Sequence, residues 1–189
     1  MEYDMDSDSQ PTALQAFLEE LGVGNTRHNS NEKLLPHLVG TRGLLAAWGA
    51  RPVLCDAGLC HSLYGTEHFS HPTLEEAVRD RLRAALGEEA EALVWLWCFG
   101  RRHTMEVPAE VGVASHLRDR RDEAWIAITS EQVADLVNLW IADTIEQLPR
   151  VPEREVATAR ALRRHAPRAL PKARQALEQV IDAYSSHSN

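Results

Sequence analysis

Apolar residues recur at three- and four-residue intervals through most of this chain, and the intervals break at glycine and proline. Leu14, Phe17, Leu18 and Leu21 mark a first amphipathic helix, with Gly22 and Gly24 as stop signals. The polar stretch NTRHNSNEKL reads as a turn leading into a second helix, NEKLLPHLVGTRGLLAAWG. Gly49 suits a left-handed cap at its end, and Pro36 delays or kinks its first turn. Pro52 opens a third helix, PVLCDAGLCHSLYG, which is apolar on nearly every face and is therefore expected to be central and buried, ending at Gly65.

Thr73 followed by Glu76 predicts a capping box for a fourth helix reaching Leu86. Gly87 separates it from the apolar EEAEALVWLWCF, and these two helices should pack as a hairpin. Residues 100–129 show little periodicity and read as a loop long enough to cover a site. Ser130 is the expected N-cap of a long helix, SEQVADLVNLWIADTIEQL, punctuated by Pro149 and Pro152. Two Ala-, Arg- and Leu-rich helices follow, over roughly 153–165 and 168–185.

Because β-branched residues never gather into alternating runs, the expected fold is all-α, a bundle of about seven helices. A chain of 189 residues that is 44% hydrophobic is long enough for one real core. The expected organisation is a disordered start over 1–11, a helical domain over 12–150, and C-terminal helices over 151–189 packed on that domain.

Charge then narrows the partners. A net charge of -8 without a basic stripe argues against nucleic acid. No apolar run approaches the ~20 residues that span a bilayer, and the acidic N-terminus is unlike a signal peptide, so the reading is a cytoplasmic protein, with a homodimer left open. Cys55, Cys60 and Cys98 lie in apolar surroundings and read as reduced core thiols.

The chemistry concentrates in polar residues set among apolar ones. His37 and His61 lie in the two most apolar helices, and Asp143 lies among Leu139, Trp140, Ile141 and Ala142. A buried imidazole or carboxylate must find a partner, and one metal ion would serve all three. Each residue also has an ordinary reading, as a satisfied core histidine or a helix-surface aspartate. Tyr64 and Glu67 are candidates for acid/base catalysis, although YGTEHFSHP also reads as a structured loop with Tyr64 packing in it. His68, His71 and His103 are further imidazoles near these segments. Arg27, Lys33, Arg101 and Arg102 would form an anion-binding rim if they converge, or else are solvated surface charges.

His37, the 24-residue step to His61, and Asp143 within WIAD resemble the H…HD…D framework of HD-domain metal-dependent phosphohydrolases, in particular the guanosine tetra- and pentaphosphate hydrolase domains of the RelA/SpoT kind. That resemblance covers residues 25 to about 148. It implies an HD-like helical fold and one divalent ion (Mn, Fe or Zn) held by His37, His61 and Asp143. It also implies a small, anionic, phosphorylated substrate oriented by Arg27, His28 and Gln147, with Lys33 of the possible rim as a further substrate contact. The phrases HLVGTRGLLAAWG and AGLCHSLYGT are also similar to an uncharacterised bacterial domain family with the pattern HLxGTxxLLxxWG and AGLxHSxYGT. The chain departs from the hydrolases at the doublet, which is His61-Ser62, and at Gly65 and Thr66, where the RelA/SpoT kind has Glu-Asp. The leading expectation is a metal-dependent hydrolase with a degenerate site. The alternatives are a two-iron oxygenase of the same superfamily and an inactive ligand-binding or regulatory domain.

Overall fold

The structure is a computed structural model that describes residues 13–23, 34–66, 79–108 and 113–185. Among these residues the α-helices are α1 (Ala13–Glu20), α2 (Leu34–Ala47), α3 (Pro52–Cys60), α4 (Arg79–Leu86), α5 (Glu88–Phe99), α6 (Ser130–Gln147), α7 (Pro152–Leu162) and α8 (Pro171–Ser185). A 3-10 helix, Arg163–Arg168, joins the last two. The capping box at Thr73 and Glu76 and the N-terminal residues 1–11 lie outside the described residues.

The all-α expectation is wrong, and so is the loop over 100–129. That stretch forms β1 (Gly100–Glu106), β2 (Ser115–Asp119) and β3 (Trp125–Ile128), an antiparallel sheet in the order β1-β2-β3, which makes the fold α+β. The alternation that announces a strand is present but is written in polar residues. The buried positions of β2 are Ser115, Leu117 and Asp119, and those of β1 include Arg102. Arg102 is buried because its guanidinium lies 4.0 Å from the centre of the Trp97 ring while its Nη1 donates to the Trp97 carbonyl at 2.9 Å. Asp119 is held by the Arg121 guanidinium at 2.7 Å. A register shift between Arg101 and Glu106 further breaks the period, and Trp125 on β3 is 45% exposed.

Helix boundaries follow local hydrogen bonds. α6 is capped by Thr129, one residue earlier than expected: its hydroxyl accepts from the Gln132 amide, while the Gln132 side chain accepts from the Thr129 amide. α3 stops at Cys60, short of Gly65, because the chain tightens into turns in which Leu63 donates to the Cys60 carbonyl and Gly65 to that of Ser62. His61 is thereby the residue at which the central helix ends.

The core is centred on α3, with α2 and α5 packed against it and α6 packed on α2. Gly58 lets α2 and α3 approach, since a Cβ there would lie 2.6 Å from a methyl of Leu45. α4 packs on α5, and α7 and α8 pack on α6. The three cysteines are free and buried, and burial pushes the Cys98 thiol up to about 12. Among the described residues no helix is long and apolar enough to cross a membrane.

His165, buried in the 3-10 helix, accepts a hydrogen bond from Arg164 Nε at 3.0 Å. Burial, reinforced by the charges of Arg164 and Arg168, lowers its pKa from 6.5 to about 4. The unfolded chain therefore binds the extra proton first. This contribution to stability is complete above pH 6.5 and is lost as pH falls from 6.5 towards about 4. The expected loss is on the order of 1–3 kcal/mol. Urea midpoints at pH 7 and pH 4.5 should diverge less in His165→Gln than in the wild type. Identical pH slopes in the two proteins would refute this assignment.

Candidate metal centre

Three elements meet at one point. α2 brings His37 from its first turns, the end of α3 brings His61, and α6 brings Asp143 from its C-terminal half. His37 and His61 are almost completely buried. Their Nε2 atoms lie 3.1 Å apart, and each lies 3.3 Å from Asp143 Oδ1. No other group of three such ligands clusters among the described residues.

The far side of each ring explains why the near sides converge. His61 Nδ1 donates to the Gly58 carbonyl at 2.7 Å, and His37 Nδ1 contacts the Glu146 carboxylate. With a proton on each Nδ1, both Nε2 atoms present lone pairs to one another and to a carboxylate oxygen. Such a triangle repels itself unless a cation lies within it, either a proton or a metal ion. A metal bonded at about 2.0–2.2 Å sets adjacent ligand atoms about 3.0–3.4 Å apart, and the observed 3.1 and 3.3 Å separations fit that requirement. Two imidazoles and one carboxylate are also a donor set that binds Zn, Mn or Fe and leaves coordination positions open.

Without a metal the proton serves. Burial alone would lower the His37 pKa, but hydrogen bonds to Asp143 and Glu146 outweigh it and raise the value to about 9. Burial would likewise raise Asp143, but the two imidazoles hold its carboxyl well below the usual carboxylate range. An entering metal must displace the shared proton.

Neighbouring side chains hold the ligands. The His61 ring meets Trp97 edge-on, with centroids 5.4 Å apart, and Cys98 Sγ donates to the His61 carbonyl at 3.1 Å. Gln147, expected to face substrate, instead donates from Nε2 to Asp143 Oδ1 at 2.9 Å while its Oε1 accepts from Arg154 at 2.9 Å. It fixes the carboxylate, and both ends of its amide are engaged within the protein.

Other expected site residues lie elsewhere. Tyr64 is buried and donates to Glu91, whose carboxylate is paired with Arg79 at 2.7 Å. Burial, followed by the Glu91 charge, pushes the Tyr64 phenol up, away from the range useful for acid/base work near neutrality. His103 is exposed on β1 and stands outside the cluster. Arg102 is stacked on Trp97 and Arg101 is paired with Glu123, so these two form no common rim. Ser62 is buried beside His61 and contributes no anion. Arg27, His28, Lys33, Glu67, His68 and His71 lie outside the described residues.

Glu146 is the important residue that the sequence reading passed over. A signal was present: it stands three residues after Asp143, hence on the same face of α6. Gly40 and Thr41 of the HLVGT phrase lie one turn from His37, and Gly40 faces Glu146.

Residues 17–102 match a family model described as a domain of unknown function (DUF6817). The match spans less than half of the chain, includes both motif phrases with His37 and His61, and ends before Asp143. No curated protein and no solved structure matches the chain.

Proposed function

We propose that the protein is a metal-dependent hydrolase of a small phosphorylated metabolite or nucleotide, using one divalent ion held by His37, His61 and Asp143. The observation that carries this reading is the convergence of two imidazole Nε2 atoms and one carboxylate oxygen at 3.1–3.3 Å. Resemblance of the same three residues to the HD framework supplies the reaction class. When bound, such an ion polarises a phosphoryl oxygen and lowers the pKa of a coordinated water.

The chain's own residues do the rest. Gly58 and Glu146 hold the two rings, Gln147 holds Asp143, and Trp97 walls one side of His61. Arg27, His28 and Lys33 are proposed to meet the anionic substrate. Ser62 in place of the doublet aspartate makes the site one anion poorer than that of the hydrolases it resembles, which favours a single ion over a pair.

A second reading rests on the donor set itself. Two histidines and one carboxylate also suit mononuclear non-haem iron, whose chemistry is oxidative. Elemental analysis of tag-free protein, beside a His61→Ala variant checked by circular dichroism, separates the readings. Stoichiometric manganese or zinc, lost in the folded variant, supports hydrolysis and directs a phosphate-release screen. Stoichiometric iron with oxygen consumption supports the oxidative reading. If neither protein holds metal after reconstitution with manganese, iron and zinc, the metalloenzyme reading fails and the cluster is a buried ion-pair network.

A further inference from the structure

Glu146 is not one of the three clustered ligands, yet several contacts fix its place. One carboxylate oxygen meets His37 Nδ1 and the other meets the Arg150 guanidinium. A second nitrogen of that guanidinium donates to the Glu146 carbonyl at 2.6 Å, so one arginine grips both the side chain and the backbone of the same residue. Across the helix interface, a Cβ at Gly40 would lie 2.9 Å from Glu146 Cγ and 3.0 Å from Oε1. A side chain at position 40 would press on the Glu146 side chain and force it to shift.

From these contacts we infer that Glu146 is a positioning residue of the metal centre, held by Arg150 and admitted by Gly40, which locks the His37 ring with Nε2 turned towards His61 and Asp143. The inference rests on the metal reading above and adds the group that prepares the ligand. An imidazole has two nitrogens and can present either after a ring flip. A carboxylate accepting the Nδ1 proton selects the tautomer, fixes the ring plane and makes Nε2 the better donor, as outer carboxylates do for metal-bound histidines. Asp143 and Glu146 stand three residues apart on α6, so one helix supplies both a ligand and the orienter of another. His61 obtains the same service from a backbone carbonyl, that of Gly58 in its own helix. His37 obtains it from a side chain contributed from 109 residues away.

Titration of Co2+ and Mn2+ into full-length wild type, Glu146→Gln, Gly40→Ala and Arg150→Gln tests this, with melting curves confirming the fold of each. The expected result is a 10–100-fold weaker Kd for Glu146→Gln. Gly40→Ala, in which Glu146 is intact but displaced, should weaken binding in the same direction. Imidazole 15N shifts of the Zn2+-loaded proteins, in which the metal has displaced the shared proton, should show His37 as one tautomer in the wild type and as a mixture in Glu146→Gln, a change that a merely stabilising carboxylate would not produce. Arg150→Gln, partly exposed, keeps the test available if Gly40→Ala fails to fold. Wild-type Kd and a single His37 tautomer in Glu146→Gln would overturn the inference while leaving the metal centre standing. Absence of binding by the wild type itself would overturn both.

Discussion

An Asp143→Asn variant is expected to keep its helical circular dichroism and to lack the stabilisation that Mn2+ or Zn2+ should confer on the wild type if the proposed centre binds them. A ligand that binds only the folded state adds about 4 kcal/mol at a free concentration 1,000 times Kd. For a chain of this length that corresponds to a rise in Tm of roughly 8–16 °C. The substituted side chain would offer a neutral amide oxygen where the wild type offers an anion held below the usual carboxylate range by two imidazoles. Removing the only carboxylate among the three clustered ligands should weaken binding beyond the 10–100-fold typical of outer residues. The backbone of α6 has no reason to change, because Asp143 lies near the C-terminal end of a helix fixed by its Thr129 cap and its buried Leu136, Leu139 and Ile141. Thermal melts with and without metal provide the measurement. Equal metal-induced shifts in the two proteins would remove Asp143 from the centre.

The second large effect concerns Trp97. It is the largest fully buried side chain among the described residues, 1% exposed, and it borders both the His37–His61–Asp143 cluster and the sheet. Its ring bounds His61 on one side and carries the Arg102 guanidinium on another, with Trp140 also within 5.5 Å of that cation. Trp97→Ala opens a cavity and strands a buried guanidinium, so a loss of about 3–5 kcal/mol is expected. A Trp97→Phe variant should recover much of this by refilling the volume. Denaturant melts check the stability, and metal titration of the folded fraction should also show weaker binding because His61 loses its wall. A loss below about 1 kcal/mol in Trp97→Ala would mean that the sheet does not depend on this stack. The two variants should differ in kind: Asp143→Asn should remove the metal response while the helices stay formed, at the cost of its buried pairing with His37 and His61, whereas Trp97→Ala should cost the packing of the sheet as well.

Arg102 explains how a sheet is built from a sequence that hides it. Its planar head lies over Trp97, and the charge is met by a carbonyl and a ring face. An arginine at an inward strand position thus does the covering normally assigned to a valine or isoleucine. The same logic places Asp119 inward, since Arg121 two residues on neutralises it.

The helices were legible because their determinants are local. Glycine and proline breaks, apolar spacing and the Thr129-to-Gln132 cap all act within a few residues, and the tertiary structure shifted only their ends. His37, His61 and Asp143 were legible for a related reason: a polar group within an apolar helix must find a partner wherever the chain goes. What those partners are was decided only by packing. Glu146 reaches His37 across 109 residues, and Tyr64 turned to Glu91 on α5. Gln147 proved to serve Asp143, although both stand on the one helix face that their spacing predicts. Local spacing specifies which face a side chain occupies, whereas the identity of its neighbour depends on which helix crosses that face and how closely, a distance set here by the missing side chains of Gly40 and Gly58. The sheet was decided in the same way, because its inward arginine and aspartate are tolerable only against Trp97 and Arg121 in the folded chain.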